Sequence, residues 1–102
     1  MSVIKITAEN FEAEVLSATK PVLIDFYADW CGPCRMLAPT IEEIAAERAD
    51  IKVCKVNVDE QGELAARFGV MSIPSLFVVK NGEITAQSLG AKPKGQILAM
   101  LD

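Results

Sequence analysis

The chain has 102 residues, 51% hydrophobic and 24% charged, which fits one globular domain over 1–102 and is too short for two. A core of this size needs neither a disulfide nor a metal to stay folded, so any cysteine chemistry is free to be functional. Ten basic residues against fourteen acidic ones leave a net charge of −4. This balance disfavours nucleic acid and anionic lipid surfaces as partners.

The sequence lacks the usual signals for membrane insertion or secretion. Its longest apolar stretch, Ile97–Leu101, is far shorter than the roughly 20 residues of a spanning helix. Met1–Lys5 lacks the basic region, apolar segment and cleavage site of a secretory signal. We therefore expect a cytoplasmic protein that contacts no membrane. Three cysteines and no histidine leave thiols, carboxylates and lysine to carry any chemistry.

The first elements are predicted to be a strand, a helix and a second strand. Val3–Ile6 is a short β-branched run, and Thr7 is expected to cap a helix that leads into Phe11. Val22–Tyr27 is apolar at nearly every position, which is typical of a central strand buried on both faces. Asp25 is the anomaly in that strand.

The longest helix is predicted over Cys34–Arg48, with Pro39 producing a kink rather than a break. Ile51–Val58 is rich in β-branched residues and predicts a strand. A short amphipathic helix over Gly62–Phe68 follows, and Gly69 is expected to end it. The apolar positions of the longest helix recur at helical spacing: Leu37, Ile41, Ile44 and Ala45.

The last third of the chain predicts a hairpin and a closing helix. Ser75–Lys80 and Glu83–Leu89 flank Asn81–Gly82, a dipeptide that suits a two-residue turn between antiparallel strands. Pro93 then opens the final helix. The resulting order, βαβαβαββα, predicts an α/β fold with a central mixed β-sheet flanked by helices on both faces.

Cys31 and Cys34 stand at the start of the longest helix, three positions apart. Residues at this spacing lie about 5–6 Å apart, within the range of a disulfide, so the pair can close and reopen with little backbone movement. A helix N-terminus favours an anion, which predicts a thiolate, and hence the nucleophile, at Cys31. Cys34 is expected to face inward, stay protonated and later resolve the mixed disulfide.

Other readings of the cysteine pair are a static disulfide or half of a zinc site. A structural zinc usually has four Cys or His ligands, and Cys54 is the one further candidate, so zinc would have to bridge subunits. Gly32 and Pro33 add no cation that would stabilise a thiolate further. The motif therefore predicts a reductant rather than an oxidant.

These features resemble the thioredoxin family, with its Trp-Cys-Gly-Pro-Cys active site. The matching segments cover nearly the whole chain: Asp25–Met36, Pro39, Lys55–Asp59, Gly69–Val70, Ile73–Ser75, Lys80–Glu83 and Gly90–Ala91. The sequence departs from the usual family pattern at four positions: Tyr27 for a frequent Trp, Arg35 for Lys, Cys54, and Ser75 for Thr.

The resemblance implies a thioredoxin-like fold and a thiol-disulfide oxidoreductase that reduces disulfides of other proteins. Cys31 and Cys34 would cycle between disulfide and dithiol without a bound cofactor. An NADPH-dependent flavin thioredoxin reductase would reduce the Cys31–Cys34 disulfide back to the dithiol. The protein would be a monomer that contributes to cell redox homeostasis. The alternatives are a non-catalytic binding subunit of the same fold, or a disulfide isomerase or oxidase.

Asp25 requires compensation, because a carboxylate in an apolar strand is costly unless it is paired or protonated. It could form a buried ion pair with Lys55 of the neighbouring strand. It could also be a proton acceptor for Cys34 with a raised pKa. The resemblance implies this second role, with Lys55 tuning Asp25.

The resemblance further implies a cis Ile73–Pro74 peptide bond that faces the disulfide, although most bonds of this type are trans. The backbone beside it would pair with an extended substrate. Trp30 could instead be an ordinary core residue, and Cys54 is expected to be an inert packing residue. The expected apolar collar around Cys31 comprises Trp30, Gly32, Pro33, Ile73, Pro74, Gly90 and Ala91.

Overall fold

The computed structural model describes residues 2–102; Met1, with which the predicted domain begins, lies outside them. The strands and helices follow the predicted order, and the bounds of β2, β4 and β5 agree with the predicted ones. The elements are β1 (Ile4–Lys5), a π-helical turn (Glu12–Leu16), β2 (Val22–Tyr27), α1 (Gly32–Glu47), β3 (Lys52–Asn57), α2 (Gly62–Arg67), β4 (Ser75–Lys80), β5 (Glu83–Leu89) and α3 (Lys94–Ala99).

The five strands form one mixed sheet in the order β1-β3-β2-β4-β5. β3 runs parallel to both β1 and β2, whereas β4 is antiparallel to β2 and β5. The central position of β2 explains its nearly continuous apolar sequence, since helices cover both faces. The predicted mixed sheet between two helical layers is confirmed.

The β4–β5 hairpin turns at Asn81 and Gly82, as predicted. Both residues have positive φ, 53° and 80°, which a two-residue turn of this twist requires. Asn and Gly adopt this conformation at lower cost than other residues, so the dipeptide sets where the chain reverses.

Each face of the sheet carries its own hydrophobic core. Alternate residues of a strand point to opposite faces, so each strand contributes to both cores. On one face the sheet packs against the π-helical turn and α2, through Phe11, Val15, Ile24, Phe26, Cys54, Leu64 and Phe77 among others. On the other it packs against α1 and α3, through Leu23, Leu37, Ile41, Ile44, Val53, Leu76 and Ile97 among others.

α1, with 16 residues, begins two positions before the predicted start. Cys31 is its N-cap and Pro33 lies in its first turn, where the missing N–H of proline costs no helical hydrogen bond. The helix continues through Pro39. Within residues 2–102, every helix is too short or too polar to cross a membrane.

The predicted helix cap at Thr7 is wrong. The π-helical turn begins only at Glu12, with Phe11 before it and no side-chain cap. The Thr7 backbone N–H instead donates to Asn10 Oδ1 at 2.8 Å. Asn10 therefore supplies the side-chain acceptor, and the chain forms an extra turn before the helical segment begins.

Candidate active site

A disulfide joins Cys31 and Cys34 at the N-terminus of α1, with their Cα atoms 5.2 Å apart. Cys31 is the helix N-cap, and its Sγ accepts the backbone N–H of Cys34 at 3.2 Å. A sulfur at this position satisfies one of the N–H groups that a helix start leaves without a partner. The same N–H group and the helix dipole are available to stabilise negative charge on Cys31 once the disulfide opens.

The loop before Cys31 is fixed by two hydrogen bonds. The Cys31 backbone N–H donates to the Ala28 carbonyl at 3.2 Å. Arg35 reaches back from α1 and its Nη1–H donates to the Asp29 carbonyl at 2.9 Å. The loop and the first helical turn therefore hold the disulfide from both sides.

The two cysteines line different spaces. Cys31 lines a surface groove of about 530 Å³ together with Trp30 and Ile73. Cys34 lines a separate cavity of about 330 Å³ together with Asp25 and Lys55. The disulfide thus separates a groove that an incoming chain can enter from a cavity that contains ionisable groups.

Trp30 stands at the edge of the groove and is 69% exposed, which excludes the core-packing alternative. Its indole Nε1–H donates to Asp59 Oδ2 at 2.8 Å. Asp59 is placed by buried Asn57, whose Oδ1 accepts the backbone N–H groups of Asp59 at 2.9 Å and of Glu60 at 3.3 Å. The turn after β3 therefore orients the tryptophan ring that follows β2.

The loop before β4 forms the opposite side of the groove. The Ile73–Pro74 peptide bond is cis, as the family resemblance implies, and the Ile73 carbonyl oxygen lies 4.0 Å from Cys31 Sγ. The Ser75 hydroxyl donates to the Ser72 carbonyl at 2.6 Å. Ser75 therefore retains the hydroxyl that the usual threonine would provide, and it closes the loop on itself.

The structure gathers part of the expected collar around Cys31. Trp30, Gly32, Pro33 and Ile73 line the groove, whereas Pro74 is buried and lies outside its lining. Gly90 and Ala91 also lie outside the groove lining; the Gly90 backbone N–H bonds the Pro74 carbonyl at 2.8 Å. The groove has further lining residues that the sequence pattern did not indicate, all in segments after β3: Val58, Ala65, Val70, Met71 and Ser72.

The order of strands in the sequence could have predicted that Asp59 and its neighbours lie near the cysteine motif. β2 and β3 are parallel, so their carboxyl ends meet at one edge of the sheet. The residues after β3 must then lie beside those after β2, where the cysteine motif stands. The short spacing between α2 and Ile73 brings Met71, which is 96% exposed, to the same rim.

Asp25 lies in the middle of β2 and is only 5% exposed. Its Oδ1 is buried and has no hydrogen-bond partner within residues 2–102. Burial raises the pKa of this carboxyl from 3.8 to about 7, and the charge of Lys55 offsets part of the increase. Near neutral pH the group therefore exists in both protonation states, as a proton carrier requires.

Lys55 faces Asp25 across the β2–β3 pair, in direct register. The predicted neighbourhood of the two residues is confirmed, but the ion-pair alternative is wrong for this structure. No carboxylate oxygen within residues 2–102 lies within 4.0 Å of the Lys55 ammonium. Lys55 acts on Asp25 through the field across their shared cavity.

Cys54 is buried on the opposite face of the sheet, in the core beneath α2. Burial raises the pKa of its thiol to about 12, so it carries no thiolate near neutral pH. Within residues 2–102, no three potential metal ligands gather in one place.

A comparison with protein families matches the family model described as Thioredoxin to residues 2–102. The chain is a member of the thioredoxin family. A protein named Thioredoxin from Mycobacterium tuberculosis is 50% identical over 99 residues, 96% of this chain and 85% of the relative.

Two further bacterial proteins of the same name agree with this assignment. The one from Streptomyces clavuligerus is 48% identical over 93 residues, 91% of this chain and 87% of the relative. The one from Pseudomonas aeruginosa is 43% identical over 101 residues, 98% and 94% of the respective chains. Family membership and the Cys31–Cys34 pair identify the chain as a thiol-disulfide oxidoreductase that reduces disulfides of other proteins.

Proposed function

We propose that Cys31 is the nucleophile, Cys34 the resolving cysteine and Asp25 its proton acceptor, in a cycle that ends in the disulfide seen here. The Cys31 thiolate attacks one sulfur of a substrate disulfide and expels the other sulfur as a thiolate. Cys34 then loses its proton to Asp25 and attacks Cys31 Sγ. The second substrate sulfur leaves, so the substrate gains two electrons and the Cys31–Cys34 pair loses two.

The observation that carries the assignment is the separation of the two sulfurs between different spaces. Cys31 lines the groove beside exposed Trp30, which an extended substrate can reach. Cys34 lines the cavity of Asp25, whose buried Oδ1 has no hydrogen-bond partner among residues 2–102. At about 330 Å³ the cavity is roomy enough for water to pass a proton between the thiol and the carboxyl.

Substrate binding is proposed at the groove, through its lining residues Trp30, Gly32, Pro33 and Ile73. The family resemblance adds Pro74, Gly90 and Ala91, which lie outside the groove lining, as further docking residues. Recognition of main chain at the Ile73 carbonyl would tolerate many substrate sequences, and the apolar rim would exclude water from the exchange.

We further propose where the protein acts and what reduces it. Residues 1–102 act as a single thioredoxin domain, a monomer in the cytoplasm. An NADPH-dependent flavin thioredoxin reductase returns the disulfide to the dithiol. Family membership supports this setting, and NADPH consumption with such a reductase and a disulfide-containing protein would test it.

Single-turnover kinetics would test the catalytic assignment. Reduced protein is mixed with a small disulfide-containing protein, and the release of both substrate thiols is followed with time. Wild type should complete both exchanges, while Cys34→Ser should stop after the first. Cys54→Ala is the matched control, because it removes the remaining thiol and should behave as wild type. A complete cycle in Cys34→Ser would overturn the assignment.

Equilibration with glutathione distinguishes the reductase from an oxidase or isomerase of the same fold. A reductant's disulfide is stable, so an excess of reduced glutathione should convert little of it to the dithiol. An oxidase would be reduced under the same conditions. The absence of histidine from the chain favours the first outcome, since no imidazolium stands beside Cys31.

A further inference from the structure

We infer that Tyr27 is a positioning residue: its aromatic ring holds the Lys55 ammonium at the edge of the cavity that Asp25 and Cys34 share. The inference deepens the proposed function, because it rests on Asp25 as the proton acceptor.

The register of β2 and β3 places the groups together. Asp25 and Tyr27 are two residues apart on β2 and therefore point to the same face of the sheet. Lys55 is the register partner of Asp25, and its Nζ lies 5.8 Å from the centroid of the Tyr27 ring. This distance is within the range of a cation–π contact. Tyr27, Asp25 and Lys55 all line the cavity of Cys34.

No salt bridge among residues 2–102 competes with the Tyr27 ring for the Lys55 ammonium. Lys5 is its register partner on β1, but the Lys5 ammonium is bound by Glu60 at 3.0 Å. Lys5 is thus engaged by Glu60, and the Tyr27 ring, 5.8 Å from Lys55 Nζ, is the close contact that restrains the Lys55 ammonium.

The position of this charge matters because Asp25 responds to it. Burial raises the pKa of Asp25 to about 7, and the positive charge of Lys55 opposes this increase. If the ammonium swings into solvent, its field at Asp25 weakens and the carboxyl holds its proton to higher pH. The titratable and charged groups that line the cavity from β2, the loop after it, α1 and β3 are Asp25, Tyr27, Asp29, Cys34, Arg35, Glu42 and Lys55.

Substitutions of Tyr27 distinguish restraint of the Lys55 ammonium from mere shielding of Asp25 against water. Tyr27→Leu removes the aromatic face and also lets more water reach Asp25. Better hydration alone would lower the pKa of Asp25, whereas release of Lys55 would raise it, so the two explanations predict opposite signs. Tyr27→Phe keeps the aromatic face and loses only the hydroxyl, so it should retain the wild-type behaviour.

The test is an NMR titration of the Asp25 carboxyl carbon in the oxidised protein, in which neither Cys31 nor Cys34 titrates. Tyr27→Leu should raise the Asp25 midpoint by about half a pH unit, and Tyr27→Phe should leave it near the wild-type value. In a Lys55→Met background, Tyr27→Leu should cause no upward shift. Tyr27→Met provides the same comparison if the leucine variant fails to fold.

Three results would overturn the inference: a downward shift, no shift, or an equal upward shift in the Lys55→Met background. The rate of mixed-disulfide resolution, measured against pH on the same variants, is an independent readout. If the NMR midpoint rises and the pH profile of resolution does not follow it, Tyr27 still positions Lys55, but Asp25 is not the proton acceptor.

Discussion

Asp25 and Lys55 are register partners on parallel strands, yet their charged atoms do not form a salt bridge. A direct ion pair would hold Asp25 ionised and keep it from accepting a proton. At a greater distance Lys55 only moderates the effect of burial, and the pKa of Asp25 settles at about 7. The separation of these two residues therefore suits Asp25 to exchange a proton near neutral pH.

Cys31→Ser should abolish reduction of protein disulfides, because no thiolate would remain in the groove. Cys34→Ser should still attack the substrate and then accumulate a covalent mixed disulfide, since nothing resolves it. Intact-mass spectrometry would detect the adduct. Equal trapping by Cys31→Ser would reverse the roles of the two cysteines.

Asp25→Asn should increase stability at neutral pH but not at pH 3. Because the pKa of Asp25 is higher in the folded protein than in the unfolded chain, its burial destabilises the fold only where the unfolded chain is ionised. This destabilisation is absent below the unfolded-state pKa and grows as pH rises towards the folded-state pKa. Burial raises the pKa of Asp25 from 3.8 to about 7. The unfolding free energy of Asp25→Asn should therefore exceed that of wild type by at most about 4 kcal/mol, and the difference should stay constant above pH 7. Denaturant midpoints of wild type and variant at several pH values would measure it.

Asp50→Asn is the control with the opposite sign. The side-chain hydrogen bond from Arg48 lowers the pKa of exposed Asp50 to about 2. The Asp50 carboxylate therefore stabilises the fold above its unfolded-state pKa, and this stabilisation fades as pH falls. Asp50→Asn should show no increase in stability at neutral pH.

If Asp25→Asn were less stable than wild type at every pH, Asp25 would be a structural ion-pair partner of Lys55.

Cys54→Ala should leave turnover unchanged and cost about 1 kcal/mol of stability through lost packing. In the reduced native protein, Cys54 should also resist alkylation at pH 8, because burial raises the pKa of its thiol to about 12. Peptide mapping after brief treatment with iodoacetamide would show whether it reacts before unfolding. Rapid labelling, or loss of turnover with an intact fold, would reveal a second redox site.

Trp30→Ala should raise KM for protein substrates roughly tenfold while leaving the unfolding free energy nearly unchanged, since the ring is exposed and contributes mainly on binding. Asp59→Ala should give a smaller increase, because it frees the indole from its hydrogen bond without removing the ring. Met36→Ala is the control: Met36 is also exposed but lies outside the groove lining. An equal effect of all three substitutions would place the docking surface elsewhere.

The sequence by itself determined the order of elements, because each depends on local signals. The nearly continuous apolar run of β2 indicated a central strand, and Asn81–Gly82 indicated a hairpin turn. Cys31 and Cys34 were identifiable in the same way, since their spacing at a helix start needs no distant residue. The wrong cap at Thr7 shows the limit: Thr7 and Asn10 can both cap, and the backbone path decides which one accepts.

Tertiary structure decided which side chains lie beside the cysteines. Trp30 meets Asp59 across 29 residues of sequence, and Cys31 meets the Ile73 carbonyl across 42. Lys55 stands in register with Asp25 of β2, and its ammonium lies over the Tyr27 ring of the same strand. Such contacts follow from sheet register and from the meeting of strand ends, and neither is set by the residues nearby in sequence.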